Sequence, residues 1–180
     1  AIFPVHFGGL PCDMKRIKQL AEKYNLAIVE DAAHALGATY NDNSKVGNCQ
    51  YSDMTILSFH PVKGIAAGEG GMITTNNPDT YHKLTLLRSH GITKGNFEFP
   101  GISEPDNALI NKKEALENGE LKRWYYEMQH LGYNYRITDI QCALAISQMD
   151  KIDLFLDARK SMAKFYDQAF AEVPNIIPLQ

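Results

Sequence analysis

Residues 2 to 7 alternate weakly between apolar and polar positions and end at Gly8 and Gly9, a strand pattern followed by a turn. Asp13 stands where a helix cap belongs, and Ile17, Leu20, Ala21 and Tyr24 follow at helical spacing. Leu26 to Val29 is a short unbroken apolar run that ends in Glu30 and Asp31, as expected of a strand buried on both faces of a parallel sheet. Strand, helix and strand in that order predict a βαβ unit. Met54 to Phe59 predicts a further strand stopped by Pro61, and Gly71 to Thr75 another stopped by Asn76, Asn77 and Pro78. Leu84, Leu87 and Arg88 predict a helix after Asp79. Thr138 and Asp139 can cap a helix running through Ile140, Leu144 and Ile152, and Ala158, Met162, Phe165, Tyr166 and Ala169 mark another before Pro174.

Strands alternating with helices predict an α/β fold with a mixed, mostly parallel sheet flanked by helices, where ligands sit beyond the carboxyl ends of the strands. Asp31 and the segment after Phe59 occupy such ends. Residues 91 to 120 are rich in Gly, Asn, Pro, Glu and Lys with no sustained period, so a long excursion is expected there. A lid, a dimer contact and a surface loop all suit its composition.

Composition removes several function classes. A chain of 180 residues, 44% apolar and 22% charged, is that of a globular domain with a real core. The net charge of −3, with Lys and Arg scattered along the chain, leaves no electrostatic footprint for nucleic acid. No apolar stretch approaches the roughly 20 residues that span a bilayer, and the first residues lack a signal-peptide pattern, so no membrane is expected and the expected location is the cytoplasm. Cys12, Cys49 and Cys142 form no Cys-x-x-Cys pair, which suits a reducing compartment. His6, His34, His60, His82, His90 and His130 show neither His-x-x-x-His nor His-Glu-x-x-His spacing, so no metal is expected. The chain opens on Ala1 with a strand directly behind it, which predicts a segment of a longer protein.

Individually, the polar residues at the strand ends each admit two readings. Asp31 closes a buried strand and needs a cationic or donor partner, which a bound ligand or the cap of a helix over Ala32 to Ala35 would equally supply. Lys63 follows a bend set by Pro61 at the end of a strand, and is either presented to a site or a solvated surface charge. Ser58 can donate to an anion; Gly64, Gly68, Gly70 and Gly71 either admit a close backbone approach or simply turn the chain between strands. Tyr133 and Arg136 flank Asn134 in a polar turn and suit substrate contact or packing alike.

In combination and order, Glu30-Asp31-Ala32-Ala33-His34-Ala35, Ser58-Phe59-His60-Pro61-Val62-Lys63 and Gly68-Glu69-Gly70-Gly71 resemble the DegT-like family of sugar aminotransferases. Pro4-Val5-His6 and Asp13-Met14 upstream extend the resemblance, as do Arg88, His90-Gly91, Leu131-Gly132-Tyr133-Asn134-Tyr135-Arg136 and Asp139-Ile140-Gln141 downstream. The resemblance implies the large domain of pyridoxal 5′-phosphate (PLP) fold type I, with residues 1–150 as a cofactor-binding core incomplete at its N-terminus. Residues 151–180 are then a helix leading toward a small C-terminal domain outside the chain. It further implies Lys63 as the catalytic lysine that bonds to PLP, Asp31 as partner of the pyridine nitrogen, His34 beside the ring where Gln is common, and Ser58 as a phosphate ligand. Asn134 is implied as a second phosphate ligand, reaching into a neighbouring subunit of a homodimer with shared active sites, and Tyr133 and Arg136 as substrate contacts.

Trp124-Tyr125-Tyr126-Glu127-Met128-Gln129 ahead of Leu131 looks like the branch of the family that aminates UDP-linked 4-keto-6-deoxy-N-acetylhexosamines on the route to pseudaminic acid. The implied partners are therefore a nucleotide sugar and glutamate as amino donor. PLP-dependent sugar dehydratases in the same family replace the lysine with histidine, so Lys63 favours amine transfer. A noncatalytic relative that binds PLP or a nucleotide sugar is the remaining alternative.

Overall fold

The computed structural model describes residues 1–93 and 124–177, together with the backbone of 116–117 and 120–121. The chain divides into two units, Ala1–Asn76 with Ile137–Gln180, and Asn77–Arg136.

In the first unit the Asp13 carboxylate accepts the Arg16 N–H at 3.2 Å and so starts helix α1 (Met14–Tyr24). Asn25, at φ 51° and ψ 53°, ends it in the left-handed conformation that Asn tolerates. Met14, Ile17 and Ala21 face the core at three- and four-residue spacing, whereas Leu20 and Tyr24, expected on the apolar stripe, are exposed.

Strand β1 (Val29–Asp31) begins later than the apolar run suggests. The Ile28 N–H turns to the Asp53 carboxylate at 2.8 Å, and Leu26 is exposed, so regular pairing starts at Val29. β1 runs parallel to β2 (Met54–Ser58), which pairs antiparallel with β3 (Gly71–Thr74). On the other side of β1 the segment before α1 lies parallel to it. The Val29 N–H meets the Ile2 carbonyl at 3.0 Å, the Asp31 N–H meets Pro4 O at 2.9 Å, and the His6 N–H meets Asp31 O at 3.0 Å. The protein is thus α/β with a mixed sheet in which β1 is flanked on both sides by parallel neighbours, as the sequence predicts.

Register assigns the faces. Glu30 stands opposite Thr55 and Asp31 opposite Ile56, and side chains alternate along each strand. Glu30, Thr55 and Leu57 therefore share one face, and all three are buried. Asp31, Ile56 and Ser58 share the other, with Ile56 and its β3 partner Ile73 still exposed.

After helix α2 (Pro78–Leu87) of the second unit in chain order, helix α3 (Asp139–Met149) opens with a capping box: Thr138 Oγ1 accepts the Gln141 N–H while Gln141 Oε1 accepts the Thr138 N–H. The helix expected to continue through Ile152 stops at Met149. Lys151, at φ −109° and ψ 5°, leaves the helical region, and α4 (Ile152–Phe170) starts anew. No helix among the described residues is long and apolar enough to cross a membrane.

In the second unit Asn77 caps α2 (Pro78–Leu87), its side chain accepting the N–H groups of Asp79 and Thr80 with proline at the first position. Strand β4 (Ile92–Thr93) pairs with β7 (Glu127–Met128), and β5 (Leu116–Glu117) with β6 (Glu120–Leu121). Most of the 91 to 120 excursion lies outside the described residues.

Candidate active site

Two parallel strands that end side by side bring their last residues to one edge of the sheet. Asp31 ends β1 and Ser58 ends β2, on the same face. One Asp31 oxygen accepts the Ala33 N–H at 3.1 Å, which starts the turn after the strand. The cap and the ligand readings of Asp31 are therefore compatible, because its second oxygen meets no donor among the described residues. Ser58 Oγ accepts the His60 N–H at 3.4 Å, so its hydroxyl proton remains available to an anion.

Lys63 sits on a loop whose feet are buried. The Phe59 N–H bonds Gly70 O at 2.9 Å, and the Ala67 N–H bonds Phe59 O at 2.9 Å, closing the loop at its base. Phe59, Ile65 and Ala67 fill the core beneath it. At the tip the Lys63 N–H bonds His60 O at 2.9 Å, and Arg159 of α4 donates to the Lys63 carbonyl at 3.3 Å. The backbone of half-buried Lys63 is held from both sides while its amine meets no acceptor among the described residues.

The glycines after this loop serve the backbone. Gly70 sits at φ 132°, where a side chain is strained, and a Cβ on Gly71 would stand 2.6 Å from the Leu57 carbonyl oxygen. His34 is exposed, with its ring 5.7 Å from that of Phe7 and its Nδ1 accepting the Gly8 N–H at 3.3 Å. Nε2 is then the nitrogen it can offer to a ligand.

Tyr133, Asn134 and Arg136 belong to the second unit. Asn134 forms a bridge with Ser89, and its Oδ1 accepts the Arg136 N–H at 3.3 Å, which leaves the amide NH2 as a donor. Tyr133 stacks on Tyr135 with ring centroids 5.5 Å apart, and both rings are exposed.

Sequence reasoning missed a buried polar cluster directly behind the site. Glu30 is fully buried and its carboxylate takes hydrogen bonds from His6 at 2.7 Å, Tyr40, Ser52 and Thr55 at 3.2 Å. Burial opposes its ionisation, but the hydrogen bonds of His6, Ser52 and Tyr40 outweigh it and hold the carboxyl below its usual range. Burial and the same carboxylate push the Tyr40 hydroxyl far up, and burial followed by the Glu30 charge raises the Cys12 thiol. The available signal was an acidic residue on the inward face of an apolar strand, which demands partners without naming them.

The chain is an α/β protein with a mixed sheet, and its polar residues gather at the carboxyl edge, where open α/β sheets bind their ligands. The chain belongs to the DegT/DnrJ/EryC1/StrS aminotransferase family, whose pattern matches residues 1–180. It is 40% identical over 170 residues to the UDP-4-amino-4,6-dideoxy-N-acetyl-beta-L-altrosamine transaminase of Campylobacter jejuni, covering 94% of this chain and 38% of that protein. Among solved structures it resembles Helicobacter pylori PseC, an aminotransferase involved in the biosynthesis of pseudoaminic acid, with a TM-score of 0.78 and 30% identity over 97% of this chain and 39% of that one. The sugar aminotransferase Spr1654 of Streptococcus pneumoniae, described as putative and solved in a PLP-form, superposes with a TM-score of 0.73 at 29% identity, covering 95% of this chain and 41% of that one. The chain spans about 40% of the length of the curated relatives it matches.

Proposed function

We propose that the chain belongs to a PLP-dependent aminotransferase that moves an amino group from glutamate to C4 of a nucleotide-linked 4-keto-6-deoxy-N-acetylhexosamine. The observation that carries this reading is the edge itself: Asp31 and Ser58 on one face at the ends of parallel strands, followed by a braced loop that ends in a lysine amine without an acceptor among the described residues. The named relatives of C. jejuni and H. pylori support the sugar class.

The residues present fit PLP. Among the described residues, Asp31 keeps one oxygen for a ring N–H, Ser58 keeps a hydroxyl proton for a phosphate oxygen, and Lys63 keeps an amine without an acceptor for the aldehyde carbon. When bound, PLP supplies an electron sink for the pair released from a substrate C–H bond. Asp31 holds the ring nitrogen protonated, since an ionised carboxylate stabilises the adjacent N–H. Lys63 Nζ would hold the cofactor covalently, and as a free amine it would take the substrate proton and return it. The braced carbonyl and N–H of Lys63 limit the motion of its stem to the side chain. His34 would offer Nε2 to the ring substituents, and Tyr133 and Arg136 would contact the sugar nucleotide. Asn134 donates its amide to the phosphate across a homodimer, and the whole acts in the cytoplasm.

The test is the full gene product with PLP, glutamate and a UDP-linked 4-keto-6-deoxy-N-acetylhexosamine. Formation of 2-oxoglutarate in step with a 4-amino sugar is the expected result. Loss of water from the sugar with no amine transferred would make the protein a dehydratase, and binding without any turnover would make it a noncatalytic relative.

A further inference from the structure

Glu30 carries a buried carboxylate into the core face of the sheet, one residue from Asp31, and no step above uses it. Its donors come from separate parts of the chain: His6 from the segment beside β1, Tyr40 and Ser52 from the long connection between β1 and β2, and Thr55 from β2. His6 Nδ1 accepts the Cys12 N–H at 3.2 Å, so the imidazole proton sits on Nε2 and points at Glu30. The ring is then held in one orientation, with Nε2 toward Glu30.

The same residues bracket Asp31. The His6 backbone N–H bonds the Asp31 carbonyl at 3.0 Å, and the Asp31 N–H bonds Pro4 O at 2.9 Å. On the other side Thr55 precedes Ile56, the residue paired with Asp31 in the β1–β2 register, and the Ala32 N–H bonds Ile56 O at 2.9 Å. One carboxylate thus ties together both strands that hold the Asp31 backbone.

We infer that Glu30 is a positioning residue, a buried clamp that sets the Asp31 carboxylate against the ring nitrogen of the cofactor without touching the ligand. The inference rests on the proposed PLP chemistry. Without the clamp the donors on His6, Tyr40, Ser52 and Thr55 lose their common acceptor, and β1 is free to settle differently between its neighbours.

Glu30→Gln tests it in the full gene product. Glutamine keeps the shape: its oxygen can face His6 and Tyr40 while its NH2 faces the hydroxyls of Ser52 and Thr55, which accept as well as donate. The readouts are the dissociation constant for PLP and the melting temperature of the apo protein, measured also for Asp31→Asn and for the double variant. A clamp acting through Asp31 predicts PLP binding weakened about tenfold by Glu30→Gln, whatever the fall in apo melting temperature, and no further weakening when it is added to Asp31→Asn. A lower apo melting temperature with unchanged PLP binding would reduce Glu30 to a structural role, and effects that multiply in the double variant would sever it from Asp31. Unchanged PLP binding by Asp31→Asn alone would overturn the assignment of Asp31 itself, a separate failure read without any Glu30 variant. If Glu30→Gln does not fold, Tyr40→Phe keeps the ring and deletes one donor to the clamp; weaker PLP binding supports the inference and unchanged binding contradicts it.

Discussion

Asp31 has one carboxylate oxygen committed to the Ala33 N–H and one that meets no donor among the described residues, and this division of labour leaves a single residue able to start a turn and, in the proposed function, to hold a ligand. Asp31→Asn preserves the shape and the turn but removes the charge from the open side. A charge-assisted hydrogen bond is worth about 1.5 to 3 kcal/mol, so turnover with PLP is expected to fall roughly tenfold to a hundredfold. Steady-state kinetics on the full gene product checks this, and unchanged turnover would contradict the role. Gly71 makes a different demand. A methyl group there would meet the Leu57 carbonyl oxygen at 2.6 Å, in the β2–β3 pair that closes the lysine loop. Gly71→Ala should destabilise the protein by about 1 to 3 kcal/mol, read as a lower urea midpoint at unchanged slope. Wild-type stability in that variant would mean that β3 yields at no cost.

At the scale of elements, α3 depends on its first turn, where Thr138 and Gln141 satisfy each other's backbone groups. Thr138→Ala should cost about 1 kcal/mol, visible as a drop in melting temperature. Strand β1 depends on Glu30. Its folded pKa lies below the ordinary value of 4.5, so its ionisation contributes stability that is fully present above that pH and lost as the pH falls through the folded pKa. The stability difference between wild type and Glu30→Gln should therefore be constant above about pH 5 and shift against the wild type as acid is added. Chemical denaturation at several pH values measures it, and a difference independent of pH would mean that folding does not lower the Glu30 pKa.

These elements also show what the sequence could carry. Helix α1 was legible because its cap, Asp13, and its end lie within one local pattern, and β2 because an apolar run met a proline. The start of β1 was not, since it is decided by the Asp53 carboxylate taking the Ile28 N–H from far along the chain. The break between α3 and α4 was hidden for another reason: apolar spacing continues through Ile152 while one backbone residue, Lys151, departs from helical angles. The Glu30 cluster required partners separated by more than twenty positions, such as His6 and Ser52, and no local period encodes those pairings.

For the whole molecule, the site residues were named by type and order, while the sheet supplied their common edge. Asp31 and Ser58 come together because β1 and β2 run parallel in the observed register, and Lys63 is offered by a loop rooted in the core through Phe59, Ile65 and Ala67. Tyr133, Asn134 and Arg136 stand in the second unit on a turn tied to Ser89, and their part in the reaction belongs to the proposed function. The central claim is that Lys63 holds PLP. The most direct measurement is the absorbance of the full gene product with PLP before and after borohydride reduction, followed by peptide mapping of the reduced adduct. The account predicts a visible band of lysine-bound PLP that reduction fixes permanently on Lys63; no such band, or an adduct on another lysine, would contradict it.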